Sequence, residues 1–285
     1  MANRILVTGA SGNIGRELVK QLQARGADFA VMTSKPDSTP SGVPSVHGDF
    51  TKPETLLAAF AGVDTLFLLF PLTPGMDAMA RNAVAAARAA GVGHIVRSSG
   101  AGADAASPAS IARAQGEIDD IVAGSGLPFT LLRPTVFMQN TVNLDADTIK
   151  AASAIYAPRG NGAVAVVDVR DIAAAAAAVL TDPAAHAGAV YTLTGGEALT
   201  DAQIAAAIGR AVGRDVRYVD IPEQAAVDAM TRIGLPAQLI DWLMSLNYVI
   251  KQGWAAGVSA DVQTLTGHTP RRFEDFAREH ANAWR

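Results

Sequence analysis

A glycine-rich turn lies between an apolar run and an amphipathic helix near the start of the chain. Residues 5–8 read Ile-Leu-Val-Thr, followed by Gly9, Ala10, Ser11, Gly12, Asn13, Ile14 and Gly15. Ile14, Leu18 and Leu22 then recur on one face of a helix running to Arg25, and a second apolar run spans Phe29 to Met32. In such a turn one glycine takes positive φ and another admits a ligand that a side chain would block. The third lets the helix lie close to the strand. Free amide N–H groups at the helix start present partial positive charge. Strand, three-glycine turn and helix in this order predict a site for a dinucleotide pyrophosphate, contacted by Gly9, Ala10, Ser11, Gly12, Asn13, Ile14 and Gly15. With 26 glycines in the chain the triplet alone means little, and its flanking elements carry the inference.

The same alternation continues. Apolar runs near 4–8, 29–33, 45–47, 64–70, 93–98 and 129–132 are separated by helical patterns near 13–25, 53–61, 75–90 and 109–124. This predicts an α/β fold, a Rossmann doubly wound parallel sheet with crossover helices. Thr65 to Phe70 lacks polar alternation, as a strand covered on both faces should. Helix 53–61 has Thr51 as its expected N-cap, with Pro53 in the first turn and Glu54 complementing the dipole. After Pro134 the pattern loosens, with a strand expected at Val164 to Val167, a helix from Asp171 to Leu180, and helices at 200–213, 222–233, 236–246 and 270–284. The expected organisation is a dinucleotide-binding domain over 1–155, with 164–182 packing back on it, and a smaller C-terminal α/β domain over 156–285 that covers the substrate.

Composition removes several alternatives. The chain has 285 residues and no cysteine, which excludes disulfides, thiolate metal sites and a cysteine nucleophile, and fits a reducing cytoplasm. Its first residues run straight into a strand, leaving no signal peptide, and no apolar stretch reaches the roughly 20 residues of a membrane-spanning helix. Net charge is −4 without long runs of one sign, so a nucleic-acid partner is not expected. The five histidines show no metal-ligand spacing, and a metal is not expected. Gly9 to Asn13 fails the last position of a Gly-x-Ser-x-Gly nucleophile elbow. Only 18% of residues are charged. That fits either a homodimer or alanine-faced helices packed tightly within one chain.

An NAD enzyme usually places a carboxylate after the second strand, against the ribose 2′-hydroxyl. Here the residues are Thr33, Ser34 and Lys35, two hydroxyls and an ammonium suited to a 2′-phosphate. NADP(H) is therefore expected in preference to NAD(H), the alternative being that Asp37 supplies the carboxylate. In an open parallel sheet the ligand lies past the carboxyl ends of the strands. That selects Phe70 and Pro71, Ser98 and Ser99, and Pro134 to flank the nicotinamide.

The Gly-x-x-Gly-x-x-Gly spacing resembles the atypical and extended short-chain dehydrogenase/reductases. Further motifs narrow the resemblance to their NmrA-like group of NAD(P)-binding proteins: Gly48-Asp49-Phe50, Phe70-Pro71, Ser98-Ser99, Leu132-Arg133-Pro134, Asp168-Val169-Arg170-Asp171, Tyr191 to Gly195, Leu265-Thr266-Gly267 and Pro270-Arg271. The resemblance implies that Asp49 and Phe50 meet the adenine edge and face. Most short-chain dehydrogenases carry Tyr-x-x-x-Lys, which is absent here: Gly160, Gly195, Pro222 and Gln252 stand four residues after the four tyrosines. NmrA-like reductases often show a histidine or lysine followed two and four residues later by acids. This chain reads Gln115-Gly116-Glu117-Ile118-Asp119. An amide donates a hydrogen bond but exchanges no proton at ordinary pH, which argues against alcohol dehydrogenation. The resemblance then implies an NADPH-dependent reductase of quinone-like or dye-like aromatic compounds, with Gln115 orienting the acceptor and Phe137, Met138 and Asn140 lining its pocket. The alternative is a regulator that binds the dinucleotide without turnover.

Overall fold

The computed structural model describes residues 3–35 and 42–285, which divide into two compact units. The first comprises residues up to 106, 112–133 and 172–191; the second comprises 107–111, 134–171 and 192–285. The chain passes from the first unit to the second at Arg133, at the end of a sheet strand, and returns for residues 172–191.

The first unit is built on strands β1 (Ile5–Val7), β2 (Phe29–Thr33), β3 (Ser45–His47), β4 (Thr65–Leu68), β5 (His94–Ser98) and β6 (Phe129–Pro134). Between them run helices α1 (Asn13–Ala24), α2 (Leu56–Ala59), α3 (Met76–Ala90) and α4 (Ser110–Ala123). The strands order as β3-β2-β1-β4-β5-β6, all pairing in parallel, with a later strand, Val190–Leu193, beside β6. The order reverses between β1 and β4, where a doubly wound sheet opens its ligand crevice. All four residues of β4 and all three of β1 are buried, as the unbroken apolar runs required. Helix α1 turns Ile14, Leu18, Val19 and Leu22 inward.

Two glycines set how closely helices pack in this unit, α1 on the turn after β1 and α4 on the loop at 104–105. A Cβ on Gly15 would press on the Gly9 carbonyl oxygen and come within 2.6 Å of Ala10 Cα. One on Gly116, in α4, would come within 2.6 Å of Asp104 Cα. Helix α2 begins differently from expectation. A 3-10 turn at Pro53–Thr55 precedes it, and the Thr51 hydroxyl caps nothing, because it donates to Asp49 Oδ1 at 2.7 Å. Asp49 also accepts from the Thr51 amide, so the two residues close a local turn before the chain turns helical.

The second unit contains two small sheets. Strands β7 (Ala154–Ala157) and Arg217–Asp220 pair in parallel, and β8 (Ala163–Val164) pairs antiparallel with Leu199–Thr200. Its core joins Met138, Ile149, Ile155, Ile208, Phe273, Phe276 and Trp284, and the Trp284 indole donates to the Thr141 carbonyl at 2.8 Å. The helix expected over 270–284 is confined to Phe273–Glu279 with a 3-10 turn at Ala281–Ala283, and a helix at Asp261–Thr266 was not foreseen. Among the described residues no helix is long and apolar enough to cross a membrane.

The middle and last glycines of the turn respond differently to a methyl group. Gly15→Ala should lower the free energy of unfolding by roughly 1–3 kcal/mol through overpacking. Gly12→Ala, whose Cβ would meet only the Gly9 carbonyl oxygen at 3.3 Å, should lose less than about 1 kcal/mol. Denaturation midpoints of both variants check this, and equal losses would contradict it.

Candidate active site

Gly9 follows β1 with φ +68°, a left-handed conformation that side chains resist. The Gly12 amide donates back to the Gly9 carbonyl at 3.0 Å, and the Arg16 amide opens the helical ladder on the Gly12 carbonyl at 3.0 Å. No side chain caps α1, so the amides of Asn13, Ile14 and Gly15 stand at a positive helix end without a capping acceptor. Gly12 has φ −78°, which any residue adopts, and is exposed. Backbone conformation therefore does not demand glycine at 12, and the position is open on its outer side. The cradle fits a pyrophosphate. Next to it the buried Thr8 hydroxyl donates to the Phe67 carbonyl at 2.9 Å and accepts from the Leu69 amide at 3.0 Å. This ties β1 to β4 at the reversal of strand order.

The expected adenosine contacts surround the ends of β2 and β3. Thr33 Oγ1 donates to the Lys35 carbonyl at 2.7 Å and accepts from its amide at 3.0 Å, which turns the chain and leaves Ser34 and Lys35 on the surface. Asp37 lies outside the described residues. The Asp49 carboxylate is held below its usual pKa by hydrogen bonds from the Thr51 hydroxyl and amide. Phe50 is buried against Phe70, ring centroids 4.8 Å apart, and Asn82 Nδ2 donates to the Phe50 carbonyl at 2.9 Å. Pro71 is exposed.

Past β5 lies a polar cluster that the sequence reading missed. Arg97, 1% exposed, forms an ion pair with buried Asp119 of α4. Asp119 Oδ2 also accepts from Arg133 Nε at 2.9 Å and from Ser99 Oγ at 3.1 Å. Ser99 is thus engaged by the protein, while the buried Ser98 hydroxyl has no partner among the described residues. Arg97 Nη2 donates to Gln115 Oε1 at 2.8 Å. Because a guanidinium only donates, the amide oxygen must face Arg97 and the NH₂ must face away. Gln115 Cγ lies 3.7 Å from where a Gly100 Cβ would stand, which puts this amide at the carboxyl end of β5. One signal was available: an arginine inside the apolar strand His94–Ser98 needs a buried partner.

In the second unit Pro134 is buried, and Phe137 and Asn140 are half-buried. Phe137 bridges to Val167, where the Met138 amide donates to the Val167 carbonyl at 2.9 Å. Met138 itself is 1% exposed, within the core. It therefore does not line an open pocket as expected, because its side chain fills the space among Ile149, Ile155 and Val166. The Asp168–Asp171 motif also has structural work. Asp168 accepts from the Arg170 guanidinium and from Gln139 Nε2, and Asp171, fully buried, takes the Arg271 amide at 2.7 Å and pairs with its guanidinium. Burial raises the Asp171 pKa, and Arg271 opposes the rise. Among the described residues no cluster of His, Cys, Asp or Glu is arranged to hold a metal.

Comparison with known proteins identifies the family and matches the fold. The family model described as the NmrA-like family matches residues 1–267. The chain is 39% identical over 284 residues to an NAD(P)H azoreductase of Xenophilus azovorans, covering 98% of this chain and 99% of that protein. A crystal structure of the Escherichia coli NADPH-dependent quinone oxidoreductase in complex with NADPH superposes with a TM-score of 0.88 at 28% identity, covering 96% of this chain and 99% of the other. The Citrobacter sp. triphenylmethane reductase complexed with NADP(H) gives 0.86 at 26% identity, covering 97% and 99%. With a family model spanning most of its length and a relative at 39% identity over nearly all of it, the chain belongs to the NmrA-like family.

Proposed function

We propose that this enzyme, an NAD(P)H-dependent oxidoreductase, transfers hydride from NADPH to an electron-poor conjugated acceptor of the quinone or dye type. One observation carries the choice of acceptor. Beside Gly100 stands Gln115, an amide fixed through its oxygen by Arg97 and unable to exchange a proton at ordinary pH. An acceptor that needs only hydride and one hydrogen bond suits such a site, with protons drawn from water. The names of the azoreductase and quinone oxidoreductase relatives support the same class.

NADPH held by its pyrophosphate in the glycine cradle would supply the hydride. The chain's own residues bind and orient. Amides of residues 13–15 hold the pyrophosphate, Asp49 and Phe50 meet the adenine, and Phe70, Pro71, Ser98, Ser99 and Pro134 flank the nicotinamide. Gln115 presents its NH₂ to the acceptor, and Phe137 and Asn140 contact it. Thr33, Ser34 and Lys35 receive the 2′-phosphate, which makes NADPH the preferred donor.

Oxidation of NADPH followed by absorbance over a panel of quinones, azo compounds and triarylmethane dyes tests the activity. Turnover well above the uncatalysed rate is expected. In Gly12→Glu, which sets a carboxylate against the phosphates, NADPH affinity should fall by about a hundredfold while the protein still folds. Tight NADPH binding without turnover of any acceptor would instead make the protein a redox-responsive regulator. Separately, Lys35→Ala should weaken NADPH binding by about tenfold and leave NADH binding unchanged. Equal affinity of the parent protein for both nucleotides would refute the preference.

A further inference from the structure

Hydride transfer leaves different charges on different acceptors. A neutral quinone or azo compound that takes H⁻ becomes an anion, later discharged by a proton from water, while the nicotinamide is left oxidised. A cationic triarylmethane dye that takes the same hydride becomes a neutral leuco compound. The first acceptor gains from a strong hydrogen-bond donor at the receiving atom, and the second does not.

The cluster around Arg97 strengthens one such donor. Arg97 Nη2 reaches Gln115 Oε1 at 2.8 Å, and Arg97 is nearly inaccessible to water. A buried cation on the carbonyl end of an amide polarises it and makes its N–H groups better donors. Among the described residues Gln115 Nε2 has no protein acceptor, so this capacity is left for a ligand. Asp119 does not simply cancel the Arg97 charge, since it is shared with Arg133 and Ser99. Burial, with Arg133 nearby, pulls the Arg97 pKa down to about 9, which still leaves it protonated at neutral pH.

We infer that Arg97, acting through the Gln115 amide, makes the site selective for neutral acceptors that turn anionic on receiving hydride, quinones and azo compounds, over cationic dyes. The inference rests on Gln115 facing the acceptor, as proposed above. Arg97 is a positioning residue in this scheme: it touches no reacting atom, fixes which end of the amide points outward and raises its donor strength.

The test compares kcat/KM for a neutral naphthoquinone and a cationic triarylmethane dye in the parent protein, Arg97→Lys, Gln115→Glu and Gln115→Leu. In Arg97→Lys the quinone-to-dye ratio should fall at least tenfold. Gln115→Glu leaves the Arg97–Asp119 pair in place and keeps the test alive if Arg97→Lys does not fold. It replaces the donor with a carboxylate, so the ratio should fall further. A readout independent of turnover is the affinity for 4-nitrophenolate, a stand-in for the anionic product, in the presence of NADP⁺. It should weaken about tenfold in Arg97→Lys, while affinity for uncharged nitrobenzene stays the same. Equal losses for both acceptors with unchanged phenolate affinity would reduce Arg97 to a structural role and overturn the inference. If Gln115→Leu changes none of these values, the assignment of Gln115 to the acceptor fails as well.

Discussion

The close approach of Gly15 to the Gly9 carbonyl is the contact on which the rest of the first unit depends. It lets α1 start directly behind the end of β1, and among the described residues no side chain caps the helix N-terminus. Free amides concentrated at one end of a helix are an anion site in waiting. Thr8 fastens β1 to β4 beside this site, where the strand order reverses. Packing and the proposed binding therefore share the same few atoms, and a side chain at position 15 would move the helix start away from the strand it must face.

A second constraint is electrostatic. Arg97 sits in the middle of a parallel sheet whose strands are otherwise apolar, where an unpaired charge would be costly. Asp119 from α4 answers it, and Gly116 lets α4 come close enough to the 104–105 loop for that helix to hold its place. One turn earlier on the same helix Gln115 accepts from the guanidinium through both its side-chain and its main-chain oxygen. A buried ion pair is weak evidence for stability, but it does fix orientation, and here Arg97 orients the Gln115 amide at the carboxyl end of β5.

Much of this was legible in the sequence, and the exceptions have physical causes. Strand runs such as Ile5–Val7 and Thr65–Leu68 were plain because strands covered on both faces carry no polar alternation. The glycine turn was plain because each of its glycines answers to a different demand. Thr51 misled because a threonine two residues before a proline suits a helix cap and also a carboxylate-closed turn, and Asp49 decided between them. Met138 misled because its neighbours Phe137 and Asn140 remain partly exposed while its own side chain points into the second unit's core. The Arg97 cluster could not be assembled from the chain alone. Its bonded pairs lie 14 to 22 residues apart and meet only once β5, β6 and α4 are packed. The Asp168 and Asp171 carboxylates, family markers in the sequence, turn out to be buried anchors for Arg170 and Arg271.

The central claim is that the main-chain amides at the start of α1 hold the dinucleotide phosphates. Hydrogen–deuterium exchange over peptides covering residues 9–16, with and without NADP⁺, addresses it most directly. The account requires strong protection of the Asn13, Ile14 and Gly15 amides when the nucleotide is bound. Nucleotide binding that leaves those amides exchanging at their original rate would contradict it.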